Sequence, residues 1–538
     1  MKKDRTHHFK QQYLTFFRTH SKEDAINSLK SLPGYVEIRD VVDCISNVYT
    51  TVPTDIEGIL YPKTLDMICG KSSKFFRPNS VVEEINWTLA YMRGHWNNLE
   101  LFAKKKIDFE NNFLLGAYEQ CHILLDEIKV KFGVSLWYYE AMILLFEYDG
   151  KSKEGLTYIS EILQECTNNN NYILSILYSL YNRCHKDVSP FKYDEDLNAL
   201  YKRNRTALHE DYYQYVLYRL NYYNQYQNTD LSLPLMFESL SALVDRYLML
   251  VSIIKSALIQ KPNDKTILLK GCYLYGKTND IALVPVMALE NRKIDNYVNE
   301  NVMNMLDCYY LGNYSQCKDE AIKLIKSNPS CMFDACIFYV RSLVYLKESF
   351  SIPYLENSIA PINLLCSRIY NVLTFNAAND NLYELYQFNK NTYSFQIASA
   401  VDGFCKIESN EKVDDRQKLM GVTYFDPIFS RMWGDSYEAI RYIERYENNV
   451  KPSLSCQVWK KRINCEEIDT QNLPLHIAEP INAEHYYKKG MYSEAYRHAA
   501  KLYDSATDFV PIRQTAVAKM VDCLFQDNKV QEAIKPLC

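Results

Sequence analysis

The sequence predicts an all-α fold made of stacked helical hairpins, and three observations carry that prediction. First, a short pattern occurs three times: Phe113-Leu114-Leu115-Gly116-Ala117-Tyr118-Glu119-Gln120-Cys121, Tyr309-Tyr310-Leu311-Gly312-Asn313-Tyr314-Ser315-Gln316-Cys317 and Tyr487-Lys488-Lys489-Gly490-Met491-Tyr492-Ser493-Glu494-Ala495. Each copy has a glycine, an aromatic residue two positions on and a small residue five positions on. Second, 538 residues contain only 15 Gly and 17 Pro, so turns are few and elements long. Third, 47% of residues are apolar and 45 are Tyr, which argues against extensive disorder and suits helix surfaces where a ring packs while its hydroxyl meets water.

A glycine after an apolar helical run takes the left-handed conformation at little steric cost and closes the helix. A second helix then begins within two or three residues. Cys121, Cys317 and Ala495 fall in its first turns, where a small side chain lets two antiparallel helices approach closely. This spacing resembles the tetratricopeptide repeat, whose hairpin carries an aromatic pair, a turn Gly, an aromatic and then Ala. The resemblance implies a tetratricopeptide-like right-handed superhelix of helical hairpins behind a less regular N-terminal cap.

Looser copies extend the pattern. Gly150 follows Gly116 by 34 residues, the tetratricopeptide period, and is followed by Gly155 at the small-residue position. Gly434 with Ala439 is another copy. Asn528 with Ala533 follows Gly490 by 38 residues. Ala321, Leu324 and Pro329 continue the Gly312 unit, and Ala257, Leu258 and Pro262 match the end of such a unit.

In chain order, His8–Thr19 and Lys22–Ser31 read as a hairpin ending at Pro33-Gly34. Residues 35–80 are less regular, with Pro53, Pro62 and Pro78 marking turns. Val81–Lys106 reads as one long helix or two close ones, with Trp87, Leu89, Met92 and Trp96 apolar. Hairpins follow at 107–132 and 135–166, the second with a Trp137, Ala141, Leu144, Leu145 stripe. A polar break at Asn168–Asn171 leads into a Tyr-rich helical stretch, Tyr172–Gln227. Residues 230–262 read as another pair, and Ile267–Leu289 as a shorter one interrupted by Pro285. The Gly312 hairpin continues into Phe333–Leu346. The repeat signal fades between Pro353 and Met432, where 376–381 and 408–416 read as loops. Four segments result: an N-terminal helical cap region (1–106), a tetratricopeptide-like solenoid (107–352), an irregular helical connector (353–432) and C-terminal tetratricopeptide-like repeats (433–538).

The net charge of -5 and pI near 6.1 give no global nucleic-acid footprint. Lys104-Lys105-Lys106 and Lys460-Lys461-Arg462 read as solvated helix faces, and nucleic acid is at most a weakly supported partner. The 16 cysteines form no Cys-x-x-Cys pair, so they read as buried small apolar residues in a reducing compartment. No metal or cofactor is expected. No signal region follows Met1, and the most apolar run, Tyr247–Gln260, is broken by Ser252, Lys255 and Ser256. These features point to a cytoplasmic chain that does not enter a membrane.

Candidates for chemistry are few. Gly70-Lys71-Ser72 and Gly150-Lys151-Ser152 lack the earlier glycine of a phosphate loop, since Leu65 and Leu145 stand there. Arg203-Asn204-Arg205-Thr206-Ala207-Leu208-His209 resembles the Arg-polar-x(4–6)-His signature of HEPN ribonucleases. That resemblance implies that Arg203 holds a phosphate while His209 acts as general acid or base on a ribose 2′-hydroxyl. His485 and His498 read as repeat-surface residues. The leading expectation is an interaction scaffold, adaptor or regulator without catalytic residues. It would bind a peptide or protein subunit on a concave face, with Tyr138, Asn304 and Tyr486 as first-helix groove positions. By analogy with the resembled families, it could belong to a bacterial defence or regulatory system. The sequence leaves the oligomeric state open.

Overall fold

The computed structural model describes residues 60–69, 80–165, 210–220, most of 230–289, 300–329, 333–351, 360–374, 453–505 and most of 510–533, with scattered residues elsewhere. The expected hairpin at 8–31, the Gly70 triplet, the Gly434 copy, the loops at 376–381 and 408–416, and most of 172–227 lie outside the described residues. Among the described residues the chain is helical and carries no strand.

The described helices are α1 (Leu65–Cys69), α2 (Val81–Met92), α3 (Trp96–Leu114), α4 (Tyr118–Phe132), α5 (Leu136–Tyr148), α6 (Ser152–Glu165), α7 (Glu210–Leu220), α8 (Ser232–Glu238), α9 (Leu243–Gln260), α10 (Lys265–Thr278) and α11 (Val284–Leu289). They continue as α12 (Glu300–Tyr310), α13 (Tyr314–Ser327), α14 (Phe333–Leu346), α15 (Pro361–Thr374), α16 (Leu454–Asn464), α17 (Leu475–Lys488), α18 (Tyr492–Ser505) and α19 (Val510–Gln526). Two compact units contain them: residues 1–113, 117–292 and 386–394, and residues 114–116, 293–385 and 395–538.

The corners have the geometry that their glycines require. Gly116, Gly150, Gly312 and Gly490 have φ of 76°, 73°, 80° and 75°. In each corner the next amide donates to the carbonyl five residues back: Ala117 to Asn112, Lys151 to Phe146, Asn313 to Cys308 and Met491 to Tyr486, all at 2.9 Å. That bond satisfies a carbonyl the helix end would otherwise orphan. Asn528, at φ 58°, closes α19 in the same way, through Lys529 N to Leu524 O at 2.8 Å. Cys465 and Lys347 also adopt the left-handed conformation, although their types gave no sign of it.

The flanking positions behave alike. Phe113 meets Tyr118, Tyr309 meets Tyr314 and Tyr487 meets Tyr492, with ring centroids 5.9, 5.6 and 5.5 Å apart. Each aromatic pair clasps the end of one helix to the start of the next, a contribution of about 0.5–1.5 kcal/mol. Cys121, Cys317 and Ala495 are fully buried. At Gly155 a Cβ would stand 3.0 Å from Phe146 Cβ, so this position tolerates little beyond hydrogen.

Several boundaries differ from expectation. Val81–Lys106 divides into α2 and α3 at residues 93–95, and α3 runs through residue 106, where a segment boundary was expected. Pro285 does not interrupt a helix; it sits in the first turn of α11, where its missing N–H is tolerated. Pro480 lies inside α17, against its usual place. Lys106 is not on a solvated face: it is buried and pairs with buried Glu110 one turn on.

The first unit is organised around α9, which packs on α2, α5, α8 and α10. Its supposed polar interruptions are interior contacts. The Tyr218 hydroxyl lies 2.9 Å from both Ser252 and Ser256. Lys255 is buried near Asp280 and Glu110, and desolvation lowers its pKa to about 8. Asp245, also buried, accepts from the Leu136 and Trp137 amides at 2.9 and 3.0 Å, capping α5 across more than a hundred residues. Arg219 bridges Asp245, at 3.0 Å, and Glu238. In the second unit α12, α13 and α14 pack in succession, as do α17, α18 and α19.

Two outcomes test this account. Gly490→Ala should cost about 1–2 kcal/mol from backbone conformation alone, since nothing lies within 4 Å of the added Cβ. Gly133→Ala should cost more, because its Cβ would meet the Pro62 carbonyl oxygen at 2.1 Å, and urea midpoints will rank the two. Asp245→Ala should lower stability by about 3–5 kcal/mol by stranding Arg219 and the α5 amides. Lys323→Ala, which removes an exposed partner of Glu320, should leave the midpoint unchanged.

Candidate functional site

The residues singled out from sequence are scattered. Arg203, Asn204 and His209 lie outside the described residues. Tyr138 is buried on α5, so it serves the core of the first unit and not an open groove. Asn304 is exposed on α12. Tyr486, half-buried on α17, stands in the densest polar cluster of the second unit.

That cluster forms because α17 carries polar residues on the faces it buries. Asn482 accepts from the Ile468 amide at 2.8 Å and donates to the Ile468 carbonyl at 3.0 Å, which fastens the connector after α16. His485 is 2.8 Å, through Nδ1, from the Cys465 carbonyl. A carbonyl only accepts, so Nδ1 carries a proton. Glu467 Oε2 is 3.9 Å from that Nε2, and Glu467 Oε1 accepts from the Tyr486 hydroxyl at 2.7 Å. The Tyr486 bond to Glu467 holds the phenol pKa above its ordinary value.

On the α18 side, Glu479 is buried and pairs with Nδ1 of His498, with Lys501 3.9 Å from its other oxygen. The carboxylate again places the proton on Nδ1. Tyr486 lies flat on His498, centroids 5.2 Å apart and planes 6° off parallel, while His485 meets its edge at 5.1 Å. One tyrosine ring therefore links two histidines of fixed orientation. Lys488 Nζ also reaches Cys465 Sγ at 2.8 Å.

His485 and His498 are thus interior residues, contrary to the surface placement expected of them: 8% and 7% of their areas are exposed. A regular repeat buries apolar residues at such positions, and periodicity has no term for a buried ion pair. Nothing in the sequence announced Glu479 either, which pairs with His498 from 19 positions away.

The arrangement orients and clamps. It holds Tyr486 rigid while leaving part of its ring open. Among the described residues no group of three or more His, Cys, Asp or Glu side chains is placed to hold a metal ion. Nor is any described helix long and apolar enough to cross a membrane. The described cysteines are free and mostly buried, and burial raises the thiol pKa of Cys317 to about 12, which makes it inert. Comparison with protein-family models, curated proteins and solved structures finds no match to this chain.

A third histidine, His476 on α17, gives a pH test. His476 stacks on Tyr345, centroids 4.0 Å apart, and its Nε2 is 3.0 Å from the Tyr314 hydroxyl. Desolvation, helped by the positive charge of Arg341, pushes its pKa down to about 3. An unfolded chain takes up this proton near pH 6.5, whereas the folded one refuses it until about 3. Its stabilisation is therefore complete above pH 6.5 and lost progressively as pH falls towards 3. His476→Phe should flatten that dependence, removing up to about 2–3 kcal/mol of the decline between pH 6.5 and 4.5 in urea unfolding.

Proposed function

We propose that this chain is an interaction protein whose helical hairpins, stacked as in tetratricopeptide repeats, form a concave surface for a peptide or protein segment. The observation that carries this reading is the recurrence of one corner at Gly116, Gly312 and Gly490. The three share a left-handed glycine, an aromatic clasp and a buried small residue. Hairpins of one shape joined by equivalent corners pack mainly on their neighbours, and a stack of them curves. The successive packing of α12–α14 and of α17–α19 agrees with such a stack.

Unlike Tyr138, Asn304 and Tyr486 stand where a partner can reach them. Tyr486 has the attributes of an anchor: a rigid ring, locked by His498 and Glu467, that loses little entropy on binding. A groove of this kind recognises its partner through shape and aromatic contact and needs no cofactor.

Affinity purification of the full chain followed by mass spectrometry should recover a stoichiometric protein partner. Asn304→Arg and Tyr486→Ala should each reduce its recovery by about tenfold or more, with helical circular dichroism unchanged. Equal recovery by both variants, or repeated failure to recover a stoichiometric protein, would refute the reading.

A further inference from the structure

In the first unit a small cleft opens between α2, the end of α8 and α9. Trp87, Thr88 and Tyr91 form one wall; Glu238, Ser239 and Arg246 form the other. It has room for about one water-sized group. Trp87 and Tyr91 meet edge to face with centroids 4.9 Å apart, so the α2 wall is aromatic. Ser239 is half-buried, whereas the other five are buried, so solvent enters past Ser239.

Glu238 makes this cleft unusual. The residue is 0% exposed. Its Oε1 accepts from Tyr215 at 2.9 Å and from Arg219, while its Oε2 is buried without a hydrogen-bond partner. Burial pushes the Glu238 carboxyl above its ordinary pKa, while the Arg219 guanidinium and, more weakly, the Ser241 side chain favour the anion. A buried carboxylate oxygen left unpaired is costly, so such atoms are rare in folded proteins.

Glu84 lies three, four and seven residues before Trp87, Thr88 and Tyr91, on the same face of α2, and is buried. Asp245 and Arg246 of α9 and Arg219 of α7 are buried as well.

We propose that this cleft binds an organic ammonium group, with Glu238 Oε2 as its anion and Trp87 and Tyr91 as its aromatic wall. A cation there gains a charge-assisted hydrogen bond and a cation–π contact together. The space admits a primary ammonium head of about the size of a water, with any alkyl stem left at the mouth. A free alkylamine and a lysine side chain of a peptide share that chemistry. The site is independent of the peptide-binding reading.

Isothermal titration of the full chain with n-butylammonium tests it. Saturable binding is expected, with a dissociation constant on the order of 1 mM, and none with n-butanol, the neutral analogue. Glu238→Gln should weaken binding by about tenfold or more. Ser239→Leu should abolish it by blocking the mouth while sparing every buried charge, with thermal unfolding matching the unsubstituted chain. Binding of Nα-acetyl-lysinamide as tight as that of n-butylammonium would assign the site to a peptide lysine; binding of n-butylammonium alone would assign it to a free amine. Absence of saturable binding, equal binding of n-butanol, or binding unchanged in Ser239→Leu would overturn the proposal.

Discussion

A helix cannot end without accounting for its last carbonyls, and a hairpin needs a second helix to start almost at once. In this chain both demands are met by a single left-handed residue. Its conformation turns the backbone so that the following amide reaches a carbonyl five residues back, at 2.9 Å in all four glycine corners. At Gly116, Gly312 and Gly490 the same turn brings an aromatic at the start of the second helix onto one at the end of the first. It also sends the second helix close to the first, so the facing side chain must be small. Corner, clasp and small residue are three consequences of one dihedral angle.

The first unit depends on more than its corners. Its central helix, α9, is touched by helices remote in sequence, and buried polar contacts stand among its apolar ones. Asp245 adds to the local Ser135 cap on α5 by taking the Leu136 and Trp137 amides, and Arg219 ties it to Glu238 on α8. Such buried charges contribute little net stability compared with an apolar core, yet breaking any one of them leaves its partners stranded. They therefore fix which helices meet, and in this unit they leave one carboxylate oxygen over.

In the second unit the polar residues of α17 do different work. Asn482 and His485 hold the connector after α16 from one side, and Glu479 engages α18 from the other. Tyr486 shares both sets of contacts: its hydroxyl belongs to the connector and its ring to His498. A half-exposed aromatic with so little freedom is preorganised for contact, and this sets it apart from the buried tyrosines of the first unit.

Helical class, the corners at Gly116, Gly150, Gly312 and Gly490, the left-handed role of Asn528 and the burial of Cys121, Cys317 and Ala495 were all legible in the sequence. They follow from local rules: backbone permissiveness, helical period and side-chain size act over a few residues. The burial of Lys106, His485 and His498 was not legible, because each depends on a partner such as Glu110 or Glu479 whose proximity only packing creates. Nor could the sequence separate Tyr138 from Tyr486, since one residue type at like repeat positions is buried in one unit and half-exposed in the other. The same holds for the cleft beside Glu238. Local chemistry determined where this chain turns; only the tertiary structure decided which charges were drawn inside together, because electrostatic pairing is indifferent to distance along the sequence.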